Sequence, residues 1–114
     1  MERAFQSIAI PERPSKPRKS GLTMTLEGME SGVLGLDLGK DFMETCGEYV
    51  DLIKSGWLIS AIQPRSSVEK KNELFQKYQV DVFPGGILLE RALTQGVDRR
   101  GLRECGDHTP GPLV

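Results

Sequence analysis

The sequence predicts an α/β fold in which a strand followed by a helix occurs three times over, the pattern of a parallel sheet. Strand-like stretches begin near positions 21, 49 and 80. That spacing of about 30 residues is the length of one βα unit. Within each unit the apolar spacing changes from strand-like to helix-like, and Gly- or Pro-containing breaks punctuate the junctions. Each crossover is expected to be right-handed.

Residues 1–20 read as an irregular lead-in. Pro11, Pro14 and Pro17 recur every third residue and forbid helix. Arg13, Lys16, Arg18 and Lys19 form a basic cluster there. It reads either as an anion-attracting arm or, by preference, as a solvated loop. In residues 21–27 the apolar Leu22, Met24 and Leu26 alternate with Thr23 and Thr25, the period of a strand. A glycine-rich loop follows over 28–35. Leu38, Phe42, Cys46 and Tyr49 then fall on one helical face, and Gly47 is placed to stop the helix.

The second strand is expected over 49–54, broken at Ser55, Gly56 and Trp57. Trp57 reads as a packing residue behind the loop. After Pro64, Ser66 and Glu69 have capping-box spacing, and Val68, Leu74, Phe75 and Tyr78 give the following helix its apolar stripe. The third strand is expected over 80–83, closed by Pro84, Gly85 and Gly86, with a short helix from Ile87 to Leu93. From Gly96 the periodicity fails, and 97–114 reads as a loose tail with no fourth strand.

Composition narrows the function. The chain has 114 residues, 38% of them hydrophobic, and a formal net charge of −1 from 15 basic and 16 acidic side chains. That length suits one small domain, and the near-neutral charge gives no field that would attract nucleic acid. No apolar run reaches secretory or membrane-spanning length. Cys46 and Cys105 form no CxxC pair, and with His108 as the single histidine no zinc pattern exists. Two reduced thiols in a cytoplasmic protein is the expectation. Cys46, on the apolar helix face, reads as core rather than nucleophile. No P-loop or dinucleotide-type glycine motif supports a complete small α/β enzyme of another kind.

The segments GLTMTL at 21–26, GEYVDLIKSGW at 47–57 and VDVFPGGILLE at 80–90, with the lead-in KPRKSGLT, resemble the opening of the phosphosulfolactate synthase family. The resemblance covers roughly residues 13–96 and leaves the tail after 97 unmatched. It implies an N-terminal fragment, about three βα units, of a TIM-type (β/α)8 barrel, whose eight units need about 240 residues. It implies a lyase-type reaction in the cytoplasm: addition of sulfite to phosphoenolpyruvate, with Mg2+, giving the phosphosulfolactate of coenzyme M biosynthesis. A chain this short is then expected to be truncated and inactive alone. The alternative is a non-catalytic interaction protein that uses its open sheet edge, since one plant branch of the family is associated with heat stress.

Barrel active sites lie at the C-terminal strand ends. There Lys54 is the candidate catalytic cation, aimed at the enolate that develops as two anions meet. Gly85 and Gly86 are candidate substrate-binding positions because glycine lets backbone N–H groups approach an anion, and the resemblance adds Gly56 and Ser60, which match family positions. Glu27 and Glu90 are the candidate metal carboxylates. Each has a plainer reading as well: a solvated lysine, a tight turn, surface carboxylates. The chain departs from the family at Leu58 and Ile59, where Gly-Thr is usual, and at Ile87, where threonine is usual. Both changes remove donors near the expected anion site. An open three-stranded sheet also predicts self-association.

Overall fold

In a computed structural model of the chain, residues 2–28 and 32–97 are described. The expected loose tail beyond Val97, with Cys105 and His108, lies outside them. The elements run β1 (Met24–Glu27), α1 (Leu36–Cys46), a 3-10 turn (Gly47–Tyr49), β2 (Leu52–Ser55), α2 (Ile59–Ile62), α3 (Arg65–Lys77), β3 (Asp81–Pro84) and α4 (Gly86–Thr94). The three strands form one parallel sheet in the order β1-β2-β3. The α/β fold with three consecutive βα units is therefore as the sequence predicts. Each strand is shorter than its sequence pattern or shifted along it by one or two residues.

One face of the sheet is covered. Ile53 and Val82 are paired in register and join Met43, Val50, Phe75 and Val80 in a single buried cluster under α1 and α3. Leu34, Phe42, Leu74 and Tyr78 pack around it. The α3 stripe is the expected one. Phe75 alone, 1% exposed, contributes roughly 2 kcal/mol of burial. The α1 face is not the expected one: Leu38 is exposed, and Gly39 and Met43 point inward instead. A Cβ at Gly39 would lie 3.4 Å from the Phe75 ring, in contact with it, so α1 and α3 approach closely there. Gly47 does end α1, as its C-cap, and there a Cβ would stand 3.0 Å from Tyr78. Tyr49 falls in the 3-10 turn.

Two local expectations are corrected. The Ser66–Glu69 capping box does not form. Pro64 takes the N-cap position with no side-chain cap, and Glu69 pairs with Arg65 at 2.8 Å. Trp57 is not a packing residue: it is 49% exposed and adopts φ +54°, a left-handed conformation rare outside glycine. The short helix α2 that follows it was not legible as a separate element. Ile59 is its buried residue.

The lead-in is corrected most. Arg13, Lys16 and Arg18 are not simply solvated but tie residues 13–18 across the N-terminal ends of the strands, while Lys19 is exposed. Arg18 Nη1 reaches Asp51 Oδ1 at 2.7 Å, and Arg13 Nη2 reaches Asp51 Oδ2 at 3.3 Å. Arg13 also donates to the carbonyls of Tyr49 and Gly21, both at 2.8 Å. Lys16 Nζ donates to the carbonyl oxygens of Gly47 at 2.6 Å, Tyr78 at 2.9 Å and Val50. Burial pushes the Lys16 ammonium below its ordinary pKa, with Arg18 and Arg13 adding to the fall against the pull of Asp51. Desolvation would raise the Asp51 carboxyl. The Thr23 N–H, the Arg18 hydrogen bond and the two guanidinium charges outweigh it and hold the carboxyl below its ordinary value.

Candidate functional site

Strand alternation divides the sheet into two rows of side chains. Thr25, Glu27, Ile53, Ser55 and Val82 share the helix-covered face with the core. Met24, Leu26, Leu52, Lys54, Asp81 and Phe83 share the other, which no described element covers. Met24 is 53% and Leu26 44% exposed there. In a β/α barrel the helices form the outer ring, so this bare face is the one a closed barrel turns inward.

Lys54 stands on that face, one residue before the end of β2, between Leu26 and Phe83 in register. It is half-buried and has no hydrogen-bond or ion-pair partner among the described residues. Arg13, Lys16, Arg18 and Lys71, in contrast, are all engaged. A fixed positive charge in an apolar setting raises the local potential for anions.

The turns after β2 and β3 meet around Lys54. The Gly56 N–H donates to the Glu27 carbonyl at 2.6 Å and the Gly85 N–H to the Ser55 carbonyl at 2.8 Å. Both amides are thus held by the neighbouring strand end. Gly86 opens α4 and is exposed, with open space where a Cβ would stand. The first-turn N–H groups of α4, at Gly86, Ile87 and Leu88, have no intrahelical partner. Ser60 donates its Oγ hydrogen to Ser55 Oγ at 2.8 Å, which turns it toward the covered side.

The two candidate carboxylates are not brought together. Glu27 closes β1 on the helix-covered face, 2% exposed, with its Oε1 2.5 Å from Lys71 Nζ. The same oxygen accepts from the Leu34 N–H at 3.2 Å. Glu90 is exposed on α4. Among the described residues no group of three His, Cys, Asp or Glu side chains could hold a metal ion. Lys71, buried at 4%, was not singled out from the sequence. It reads there as one more charge in the run 69–73. Of the family departures, Ile59 is buried in packing while Ile87 is 41% exposed on the first turn of α4.

Comparison with known proteins agrees with this architecture. The family described as (2R)-phospho-3-sulfolactate synthase (ComA) matches residues 11–108, so the match runs further into the tail than the sequence motifs alone indicate. Phosphosulfolactate synthase of Methanothermobacter thermautotrophicus is 40% identical over 83 residues, 72% of this chain and 30% of that protein. The Methanocaldococcus jannaschii enzyme is 36% identical over 66 residues, 58% of this chain and 26% of that protein. The Bacillus subtilis one is 27% identical over 89 residues, 78% of this chain and 33% of that protein. The chain therefore spans about a third or less of the curated relatives it matches. Its three parallel βα units are those of a β/α-barrel family, and no helix among the described residues is long and apolar enough to cross a membrane. The chain belongs to the (2R)-phospho-3-sulfolactate synthase family.

Proposed function

We propose that these residues form the Lys54-centred portion of a site that adds sulfite to phosphoenolpyruvate, and that the 114 residues alone do not turn over. The observation that carries the reading is Lys54 itself: half-buried, unpartnered among the described residues, on the bare face at the strand ends. In the addition, the sulfur lone pair forms a C–S bond at the methylene carbon of phosphoenolpyruvate. The double-bond pair moves toward the carbon that carries the phosphate and carboxylate, and that carbon then takes a proton. Negative charge gathers beside the carboxylate, and a fixed ammonium there lowers the barrier. The α4 first turn adds donors and a favourable dipole for the phosphate. Ile87 in place of the family's threonine removes one hydroxyl from that rim. No described residue is assigned as the proton donor, and no step is assigned to Mg2+.

The test is a titration of the chain with phosphoenolpyruvate and with sulfite, followed by NMR. Perturbation of Lys54 and of the amides of residues 86–88, abolished in Lys54→Met, supports the reading. Undiminished binding by Lys54→Met overturns it.

A second reading has its own support. Among the described residues β1 and β3 each pair on one side only, and the bare face is apolar at Met24 and Leu26. Such a surface associates with other chains, by strand addition or face to face. Sedimentation velocity tests it: a sedimentation coefficient that rises with concentration supports association, and a constant monomer value rejects it.

A further inference from the structure

Gly85 has no conformational reason to be glycine. Its backbone, φ −73° and ψ 166°, is extended and open to any residue. Its reason is space. A Cβ built there would lie 3.3 Å from Lys54 Cε, 3.2 Å from the Ser55 carbonyl oxygen and 3.6 Å from Gly56 Cα. The next residue makes the contrast, because a Cβ on Gly86 meets nothing within 4 Å. The Gly85 N–H is already donated to Ser55, so this residue does not offer its amide to a ligand. Lys54 has no hydrogen bond or ion pair among the described residues to fix its ammonium, so packing along its stem sets where the charge points.

We infer that Gly85 is a positioning residue for Lys54: the missing side chain leaves a slot beside the β3–α4 turn through which the lysine stem reaches the strand ends. A Cβ there presses on the Ser55 carbonyl and on the lysine stem, which must give by a few tenths of an ångström. What the ammonium then does rests on the function proposed above. The steric link between Gly85 and Lys54 does not, and it is tested without substrate. Gly56 differs in kind. A Cβ there would meet Leu26 Cδ1 at 2.9 Å and the Glu27 carbonyl oxygen at 3.0 Å, so it serves the packing of β1 on β2 rather than the lysine.

The experiment records Cε resonances of the full chain labelled with 13C-lysine, the Lys54 peak being assigned by its loss in Lys54→Arg. Gly85→Ala is expected to shift that peak, and Gly86→Ala to leave it in place. Because an alanine Cβ also presses on the Ser55 carbonyl, denaturation of Gly85→Ala is compared in the native and Lys54→Ala backgrounds. A smaller cost in the Lys54→Ala background supports the inference. So does a Gly85→Ala chain that fails to fold unless Lys54→Ala accompanies it. An unmoved Lys54 peak in folded Gly85→Ala overturns it, as does equal cost, or equal failure to fold, in both backgrounds. Phosphoenolpyruvate binding is read separately on Lys54→Met, so the slot and the function can fail independently.

Discussion

Glu27 and Lys54 lie at the same end of neighbouring strands, one residue apart in register and on opposite faces. That offset gives them opposite fates. Glu27 is sealed against Lys71 beneath the helices, and Lys54 faces open space. Removing Lys71 leaves a buried carboxylate without its cation, so Lys71→Met is expected to cost about 3 kcal/mol in urea unfolding. The double change Glu27→Leu with Lys71→Met is expected to recover most of that loss, since a buried ion pair and a well-packed apolar pair differ little. Lys54→Met, half-buried on the sheet face that no described element covers, is expected to change stability by less than about 0.5 kcal/mol while removing anion binding. A Lys54→Met loss as large as that of Lys71→Met would show that Lys54 belongs to the core.

Among the elements, the strap over residues 13–18 carries an acid-dependent contribution. The folded Asp51 carboxyl is held below its ordinary value, net of a desolvation that opposes the shift. Its contribution is fully present above the unfolded carboxylate pKa, about 3.9. It is lost as pH falls from there through the lower folded value. Asp51→Asn is therefore expected to lower stability at neutral pH and to flatten the acid limb of the stability curve below about pH 4. A variant with an unchanged acid limb contradicts the strap's reliance on Asp51. At α3, Ser66→Ala is expected to be neutral within about 0.5 kcal/mol rather than to cost the ~1 kcal/mol of a lost cap. The order of the elements was legible because period changes and Gly or Pro breaks are local signals. The strap was not, because the carbonyls that hold Lys16 lie 31, 34 and 62 residues away in sequence. The α1 face was misjudged because Gly39 scores as apolar in no pattern, yet it admits the Phe75 ring. Lys54 was legible at its strand end. Its freedom from partners, and the engagement of Glu27, depend on α3 and are visible only in three dimensions.

Among the described residues, the three parallel strands leave both outer edges of the sheet unpaired. Copies of a three-stranded unit add strands in threes and never reach the eight of a closed β/α barrel. Association of this chain with itself is therefore expected to be open-ended rather than to stop at a closed ring. Met24→Lys, which places a charge on the bare face, is expected to shift the sedimentation profile toward monomer. The central claim is that these residues build a working part of the family's site once the barrel is closed around them. The most direct measurement replaces the matching 83-residue stretch of the M. thermautotrophicus relative with that of this chain and assays phosphosulfolactate formation from phosphoenolpyruvate and sulfite with Mg2+. The account predicts a folded, active chimera that Lys54→Met silences. A folded chimera with no activity, or one indifferent to Lys54→Met, would contradict it.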